Sequence, residues 1–456
     1  MPYDDFRSFL DALRAHGELV DIDRPVDIDT GVARALKRTY AQSGPALMFN
    51  RNGTAFPLVG GVYATRRHAL LAFEATEATI FERVLHGLDR PVAPRLVAGP
   101  APAHDVVRTG AAVDITAFPI PRYSPDDGGP YITAGIVVSK DPETGVPDIG
   151  HYRFMVLGPD RLAFFAQPSH RFGKHVAKAK RLGRSIEGAI AIGVDPILAY
   201  ACQVQSSDDT DDWRVAGGLR GAPVDLVRAK TVDLEVPATA EVIVEFVADP
   251  NDMTVEGPLG EYTGYYTPAS EEPVAHITAI THRHNPIFQA LLTGKPVTEN
   301  HILKQIPFEA SFYRTLKQQF PTVTNVAMPP SGGVSFWTVI AMEPRFAGEA
   351  RQAIAAAIAT NVRPKYVIVV NSDIDVHDSS DVEWALAFRT RPARDTIVVD
   401  GLPGGPADPM TGDEPVRTLR VNSALGIDAT VPFGTPFSKP ADVPGWHDEA
   451  VPELDR

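Results

Sequence analysis

At 456 residues the chain is longer than one hydrophobic core normally serves, which points to two or three domains. A formal net charge of -14, with no basic patch to offset it, argues against nucleic acid and membrane surfaces and leaves small molecules or protein subunits as partners. The lone cysteine, Cys202, allows no intrachain disulfide or cysteine zinc cluster, and the N-terminus is acidic where a secretory signal would be basic, so a cytoplasmic location is expected.

Phe6, Phe9, Leu10 and Leu13 fall at helical spacing, and Gly17 closes that segment before the extended run "ELVDIDRPVDI". The alternation continues through "GPALMFN", "FPLVGGVYATRRHALLAF" and "ATIFERVLHGL", predicting an α/β region over 1–110. From there the texture changes to short β-rich runs such as "YITAGIVVSKD", "HYRFMVLG", "EVIVEFVAD" and "AHITAITHRH", the pattern of a barrel or sandwich over 111–295. "HRFGKHVAKAKRLG" reads as a basic helix inserted between strands, with a solvated face as good an explanation of its lysines as phosphate binding. Beyond Pro296, "ENHILKQIPFEASFYRTLKQQFP", the alanine-rich "AGEARQAIAAAIAT" and the apolar strand "KYVIVVNSDID" define a second α/β region over 296–456. Its last residues form a proline-rich tail without periodicity.

Within "VEGPLGEYTGYYTP", Glu256 and Glu261 stand five positions apart around two glycines and a proline. Helical neighbours are three or four apart and Pro258 would break a helix, while on a straight strand the two side chains would face opposite ways. Their carboxylates converge only if the glycines fold the chain between them, which would suit acid/base chemistry; otherwise they decorate an acidic turn.

Three further constellations stand out. Asp148, His151 and Arg153 in "DIGHYRFMVLG" sit at a strand entry, where Arg153 either clamps a substrate carboxylate or forms an ion pair. His170 and His175 flank a helix start and are candidates for metal or phosphate, while His282 and His284 in "THRHNP" resemble a metal pair without a third ligand. No GxGxxG, GxxxxGK[ST] or GxSxG motif in a suitable context is present, which argues against a classical dinucleotide fold and a serine hydrolase.

Taken in order, "FRSFLDALRAHGELVDIDRPVD", "HYRFMVLG", "AIAIGVDP", "LRGAPVDLVRAKTVDLEVPATAEVIVE", "EGPLGEYTGYY", "KYVIVVNSDIDVHDSSDVEWALAFRTRPARD" and "SALGIDAT" resemble the UbiD family of reversible decarboxylases, which use prenylated FMN. The resemblance runs through nearly the whole chain. It implies a multidomain α/β (α+β) fold: an N-terminal α/β region, a central FMN-binding split β-barrel and a C-terminal α/β oligomerisation domain. It also implies a Glu-Arg-Glu network facing the cofactor, here Glu256, Arg153 and Glu261. Arg153 would hold the substrate carboxylate, and Glu261 would be the proton donor.

By the same resemblance a divalent metal, usually manganese and alternatively magnesium, holds the cofactor phosphate with potassium nearby. The matching ligands are Asp148, where Asn is usual, His170, with His175 as the alternative, and Asp225, where Glu is usual. Ser169 would lie beside the cofactor and Lys365 would reach its phosphate. The implied substrate is an aromatic or heteroaromatic carboxylic acid that releases CO2, its pocket formed in part by "ENHILKQ" and "MPPSGGVSFW". A flavin prenyltransferase would supply the cofactor, and a homo-oligomer, dimer or hexamer, is expected. The rival readings are an ordinary FMN oxidoreductase, a carboxylate-pair glycosidase and a non-catalytic partner subunit of a decarboxylase.

Overall fold

The computed structural model describes residues 3–404, 408–411, 421–439 and 441. The rest of the proline-rich tail predicted from the sequence lies outside them.

The first helix, Phe6–Ala15, is capped by the Asp5 carboxylate, which accepts from the Ser8 amide, and it buries Phe6, Phe9, Leu10 and Leu13 as the spacing requires. Gly17 follows with φ +73°, a left-handed conformation that a side chain would resist. The strand Leu19–Ile22 then pairs in parallel with Ala46–Phe49, and Leu58–Gly60 joins that pair. The fourth strand of this sheet is Phe288–Ala290, so the chain returns from the central region to complete the N-terminal layer.

The central sheet has ten strands. Its main path runs Tyr131–Ile132, Phe154–Gly158, Arg161–Phe164, Ser270–His282, Val242–Ala248, Ile186–Ile192, Ile136–Lys140 and Pro147–His151. The last strand of this path and the second strand from its other end are joined in sequence by Tyr152 and Arg153 alone. A link that short forces the two ends of the sheet toward each other, so the sheet curls, and Arg153 lies at the seam. Phe154 fixes the exit from that link: its ring packs 5.5 Å from both Phe164 and Phe246, centroid to centroid. Gly188 makes room for this aromatic cluster, since a Cβ there would lie 2.1 Å from the Phe246 ring.

The helix Glu299–Gln319 carries the chain out of the central region. The C-terminal sheet follows, in the order Val323–Ala327, Trp337–Met342, Tyr366–Val370, Val421–Ala429 and Thr396–Pro403. Its three middle strands are parallel and its two edge strands antiparallel. The run "YVIVV" is buried apart from its first residue, as expected of a strand covered on both faces. Among the described residues no helix is long and apolar enough to cross a membrane.

Candidate active site

Glu256 ends the strand Met253–Glu256, opposite Ser270. Gly257 then adopts φ +91°, and the chain turns so tightly past Gly128 that a Cβ on Gly128 would meet the Gly257 carbonyl oxygen at 2.3 Å. Two hydrogen bonds hold the turn, from the Gly128 amide to the Pro258 carbonyl at 2.8 Å and from the Gly260 amide to Asp127 Oδ1 at 3.0 Å. Glu261 opens the next bend, its amide donating to the Tyr265 carbonyl at 2.9 Å. The two carboxylates therefore converge, and they meet on Arg153.

Arg153 donates from Nε to Glu256 Oε1 at 3.0 Å and from Nη2 to Glu256 Oε2 at 2.8 Å, a bidentate pair, while Nη1 donates to Glu261 Oε1. Tyr131 also donates its hydroxyl to Glu256 Oε1 at 3.0 Å, and the Arg153 guanidinium lies 4.6 Å from the Phe165 ring centroid. Burial alone would lower the Arg153 pKa; the charges of Glu261 and Glu256 outweigh it and leave that pKa raised. This guanidinium is permanently charged, oriented from behind by Glu256 and shared in front with Glu261.

Arg153 and Glu261 face a cavity of about 360 Å³, whose walls include Leu259, Tyr262, Leu303 and Phe336. Asn300, Leu303 and Phe336 come from the two segments expected to shape a substrate pocket. This cavity shares His170, Gln203, Tyr262 and Lys304 with an adjoining one of about 810 Å³, which Asp148, Ser169, Arg171 and Asp212 also line. The Ser169 hydroxyl accepts from Gln167 Nε2 at 2.9 Å.

In the larger cavity Arg171 sits between two carboxylates. Its Nε lies 3.1 Å from Asp148 Oδ1, and its Nη1 lies 2.8 Å and 2.9 Å from the Asp212 oxygens. Burial, with Arg171 opposing and Asp212 reinforcing it, pushes the Asp148 carboxyl up to about 7. Asp148 Oδ2 is buried and accepts no hydrogen bond. Among the described residues no group of three or more His, Cys, Asp or Glu side chains is placed to hold a metal ion. The unpartnered Asp148 oxygen, the Asp212 carboxylate and the His170 imidazole line one cavity, and carboxylate and imidazole are donor types that a hard divalent cation accepts.

His170 precedes the helix Arg171–Leu182 and opens onto both cavities. Burial, followed by the charges of Lys304 and Lys174, lowers its pKa and favours the neutral ring. His175 lies one turn further into the helix and is buried, its Nδ1 3.0 Å from the Ser139 hydroxyl, and it lines neither cavity.

The expectation for Asp225 is corrected. In the strand Asp225–Arg228 the parallel register sets Asp225 beside Arg95, and the two form a bidentate ion pair at 2.7 and 2.6 Å, away from both cavities. The second carboxylate beside Asp148 is instead Asp212, the first residue of the helix Asp212–Arg220. The only local sign of it is a helix-start aspartate within the acidic run "DDTDDW". Lys365 also lines neither cavity; its Nζ pairs at 3.0 Å with Asp408, which lines the smaller one. His282 and His284 form no metal pair: His282 Nδ1 faces the Arg283 carbonyl at 2.8 Å, and its ring packs against Phe56 and Phe118. His151 lines both cavities, with Gln203 Nε2 3.1 Å from its Nδ1.

Sequence reasoning also passed over Lys304, which lines both cavities, and His301, which anchors the Glu261 bend. His301 Nδ1 accepts from the Thr298 amide at 3.1 Å, so the proton resides on Nε2, which donates to the Tyr262 carbonyl at 2.8 Å. Burial pushes this ring down to about 4, in keeping with a neutral tautomer.

The curled β-sheet thus sets an acid, a guanidinium and a second acid beside a cavity. Comparison with known proteins is more specific. Three domain models of 3-octaprenyl-4-hydroxybenzoate carboxy-lyase match: the N-terminal domain over 10–88, the Rift-related domain over 95–296 and the C-terminal domain over 301–429. An uncharacterized protein of Archaeoglobus fulgidus is 34% identical, the alignment covering 94% of this chain and 92% of that one.

Among solved structures, the UbiD-class enzyme HmfF from Pelotomaculum thermopropionicum in complex with FMN superposes with a TM-score of 0.90 at 34% identity, covering 97% of this chain and 98% of that one. An evolved dimeric form of the same enzyme in complex with prFMN gives 0.88 at 33% identity, over 99% and 100% of the two chains. Vanillic acid decarboxylase from Sedimentibacter hydroxybenzoicus, in open form, gives 0.87 at 28% identity, over 98% and 96%. The chain belongs to the UbiD family, and it is an enzyme of the decarboxylase class.

Proposed function

We propose that the protein catalyses the reversible, non-oxidative decarboxylation of an aromatic or heteroaromatic carboxylic acid with prenylated FMN. The observation that carries this reading is Arg153, a buried guanidinium held by Glu256 and shared with Glu261 at a cavity of about 360 Å³. The prFMN and FMN bound by the related HmfF structures support the cofactor, and the vanillic acid decarboxylase supports the substrate class.

Losing CO2 from an aromatic carbon leaves an electron pair in an sp2 orbital that no side chain can delocalise; prenylated FMN, when bound, supplies the covalent electron sink. This chain's residues do the rest. Arg153 orients the substrate carboxylate, and Glu256 keeps the guanidinium aimed, so the entropic cost of alignment is met before substrate arrives. The bond between ring carbon and carboxylate carbon breaks, CO2 leaves, and Glu261 in its protonated form delivers the proton that takes up that bond's electron pair at the ring carbon; solvent then reprotonates it. Leu259, Leu303 and Phe336 keep the reacting end of the cavity apolar. Asp148, His170 and Asp212 would hold a manganese or magnesium ion at the cofactor phosphate, with potassium close by and Ser169 beside the cofactor; such an ion neutralises phosphate charge. Lys365 would act on this region through Asp408.

On this reading a flavin prenyltransferase supplies the cofactor, and the C-terminal sheet serves a homo-oligomer. The test is an absorbance spectrum and an intact mass of the released cofactor, from protein made with and without a co-expressed flavin prenyltransferase. Prenylated flavin together with CO2 release from a panel of aromatic acids is expected. Plain FMN under both conditions, with no CO2 release, would overturn the assignment.

A further inference from the structure

A third cavity, of about 420 Å³, adjoins the smaller of the two already described. The segment 291–295 is the wall between them: Leu291 lines the smaller cavity, Lys295 lines the third, and Thr293 lines both. Another part of the third cavity is built from the helix Gly31–Tyr40, where Thr30, Ala33, Arg34 and Lys37 recur at the spacing of one helical face. Arg34, Lys37 and Lys295 bring three positive charges to this space, and among the described residues no acid lines it. Lys37 Nζ donates to the Lys295 carbonyl, which gathers two lysines 258 positions apart in the chain. Asp27, which feels the charge of Arg34, already accepts from the amides of Asp29 and Thr30 at 3.1 and 3.3 Å, and Asp29 lies 3.8 Å from Arg122.

Cations gathered in this way repel one another, and burial, followed by the charge of Lys295, lowers the Lys37 pKa. In a chain with a formal net charge of -14 such a grouping stands against the general character of the surface. An anion in the cavity relieves the repulsion. Balancing three cations takes more than one negative charge, and a phosphate monoester brings about two, with three acceptor oxygens for a guanidinium fork, ammonium groups and the hydroxyls of Thr30 and Ser124. The remaining space, against Ala33, Pro125 and Leu292, suits a small organic body.

The cavity also touches the bend that carries Glu261, on both sides of it. A Cβ on Gly260 would lie 3.3 Å from Ser124 Oγ, and one on Gly264 would lie 2.9 Å from Lys295 Cα. The Gly264 amide donates to the Glu261 carbonyl at 2.8 Å, so Glu261 sits between these two close approaches. Ser124 and Lys295 both line the third cavity, and an anion that draws its cations together braces the bend from behind.

We infer that the third cavity is a binding site for a small organic phosphate, held by Arg34, Lys37 and Lys295, and that its occupant steadies the Glu261 bend. The site itself does not depend on the proposed reaction. The effect on the bend does, through the role given to Glu261.

The test is titration calorimetry of the full chain with flavin bound, which keeps the probes out of any site for the flavin phosphate. Glycerol 3-phosphate, inorganic phosphate, citrate and acetate are compared. Glycerol 3-phosphate should bind at one site per chain and about 10-fold or more tighter than acetate. Arg34→Gln and Lys295→Gln, both at exposed positions, should each weaken it by about 10-fold, and Lys37→Arg should retain most of the affinity. Unchanged affinity in Arg34→Gln and Lys295→Gln would overturn the site, and binding of citrate without either phosphate would overturn the ligand class. Saturating glycerol 3-phosphate should also tighten the binding of an aromatic acid, read by flavin fluorescence, by about 5-fold, and the acid should tighten the phosphate by the same factor. Acid affinity indifferent to the phosphate would overturn the effect on the bend and leave the site. A protein that binds the phosphate but none of a panel of aromatic acids would keep the site and remove both the decarboxylase reading and the effect on the bend.

Discussion

Glu256 and Glu261 share one guanidinium but not one environment: the Glu256 side chain is fully buried, while 22% of the Glu261 side chain remains open to the cavity. Of the two, only Glu261 lines the smaller cavity. Glu261→Gln keeps the shape and one acceptor for Arg153 but removes the transferable proton. Turnover should fall by about 100-fold or more, the usual share of a general acid, while flavin stays bound at wild-type stoichiometry. CO2 release and the flavin-to-protein absorbance ratio, measured on one preparation, check both halves. Retained turnover would remove Glu261 from the chemistry.

The same asymmetry separates the two acids in stability. Glu256→Ala leaves the buried Arg153 guanidinium without its bidentate partner and Tyr131 without its acceptor, which costs about 3 to 5 kcal/mol. Glu261→Ala removes one partner of a better solvated contact, for about 1 kcal/mol. Urea unfolding of the apo proteins should rank them in that order. Equal losses would mean that Arg153 is not held from behind in the way the hydrogen bonds imply.

Asp212 and Asp225 offer a matched pair of substitutions for the metal proposal. Asp212→Asn weakens the donor set around the orphaned Asp148 oxygen, whereas Asp225→Asn disturbs only a half-exposed pair with Arg95. After desalting, the Asp212 variant should retain less flavin and less manganese than wild type, and the Asp225 variant should match wild type. Dialysis against a chelator should likewise strip flavin from the wild type, and added manganese should restore it. A flavin content indifferent to chelation would leave the cofactor phosphate held by protein groups alone.

Features set by local spacing were legible in the sequence: Phe6, Phe9, Leu10 and Leu13 marked a helix, and the glycines around Pro258 marked a turn able to bring two acids together. What escaped was set by distant pairing. Asp212 and Asp225 are both acids at element boundaries, and only the register of Asp225 with Arg95, 130 residues earlier, decides which of them reaches Asp148. Lys304 was not singled out within "ENHILKQ", because one of the rings beside it, Tyr262, belongs to a bend more than forty residues upstream. His170 and His175 were indistinguishable by spacing, since the choice between them depends on which face of the helix Arg171–Leu182 meets Ser139.

Glu299, two residues before His301 on the same helix, should give the protein a pH dependence that one substitution removes. Its carboxyl is wholly buried and accepts from the Tyr40 hydroxyl at 2.5 Å and from the Tyr63 amide at 3.2 Å. Burial outweighs those hydrogen bonds and raises its pKa from 4.5 to about 7. The folded protein therefore binds a proton here that the unfolded chain has already lost. Stability from this group is complete below the unfolded value of 4.5 and drains away as the pH rises through about 7, the reverse of a salt-bridged acid. Between pH 5 and pH 8 the group should cost the native state about 3 kcal/mol, at 1.36 kcal/mol per pKa unit. Other groups titrate over the same range, His301 in the opposite sense, so the measurement is a difference. Glu299→Gln mimics the protonated acid, and the stability of the variant relative to wild type, from urea unfolding, should rise by about 3 kcal/mol from pH 5 to pH 8. Parallel curves would mean that Glu299 stays ionised in the fold, with Tyr40 and Tyr63 sufficient to hold the charge.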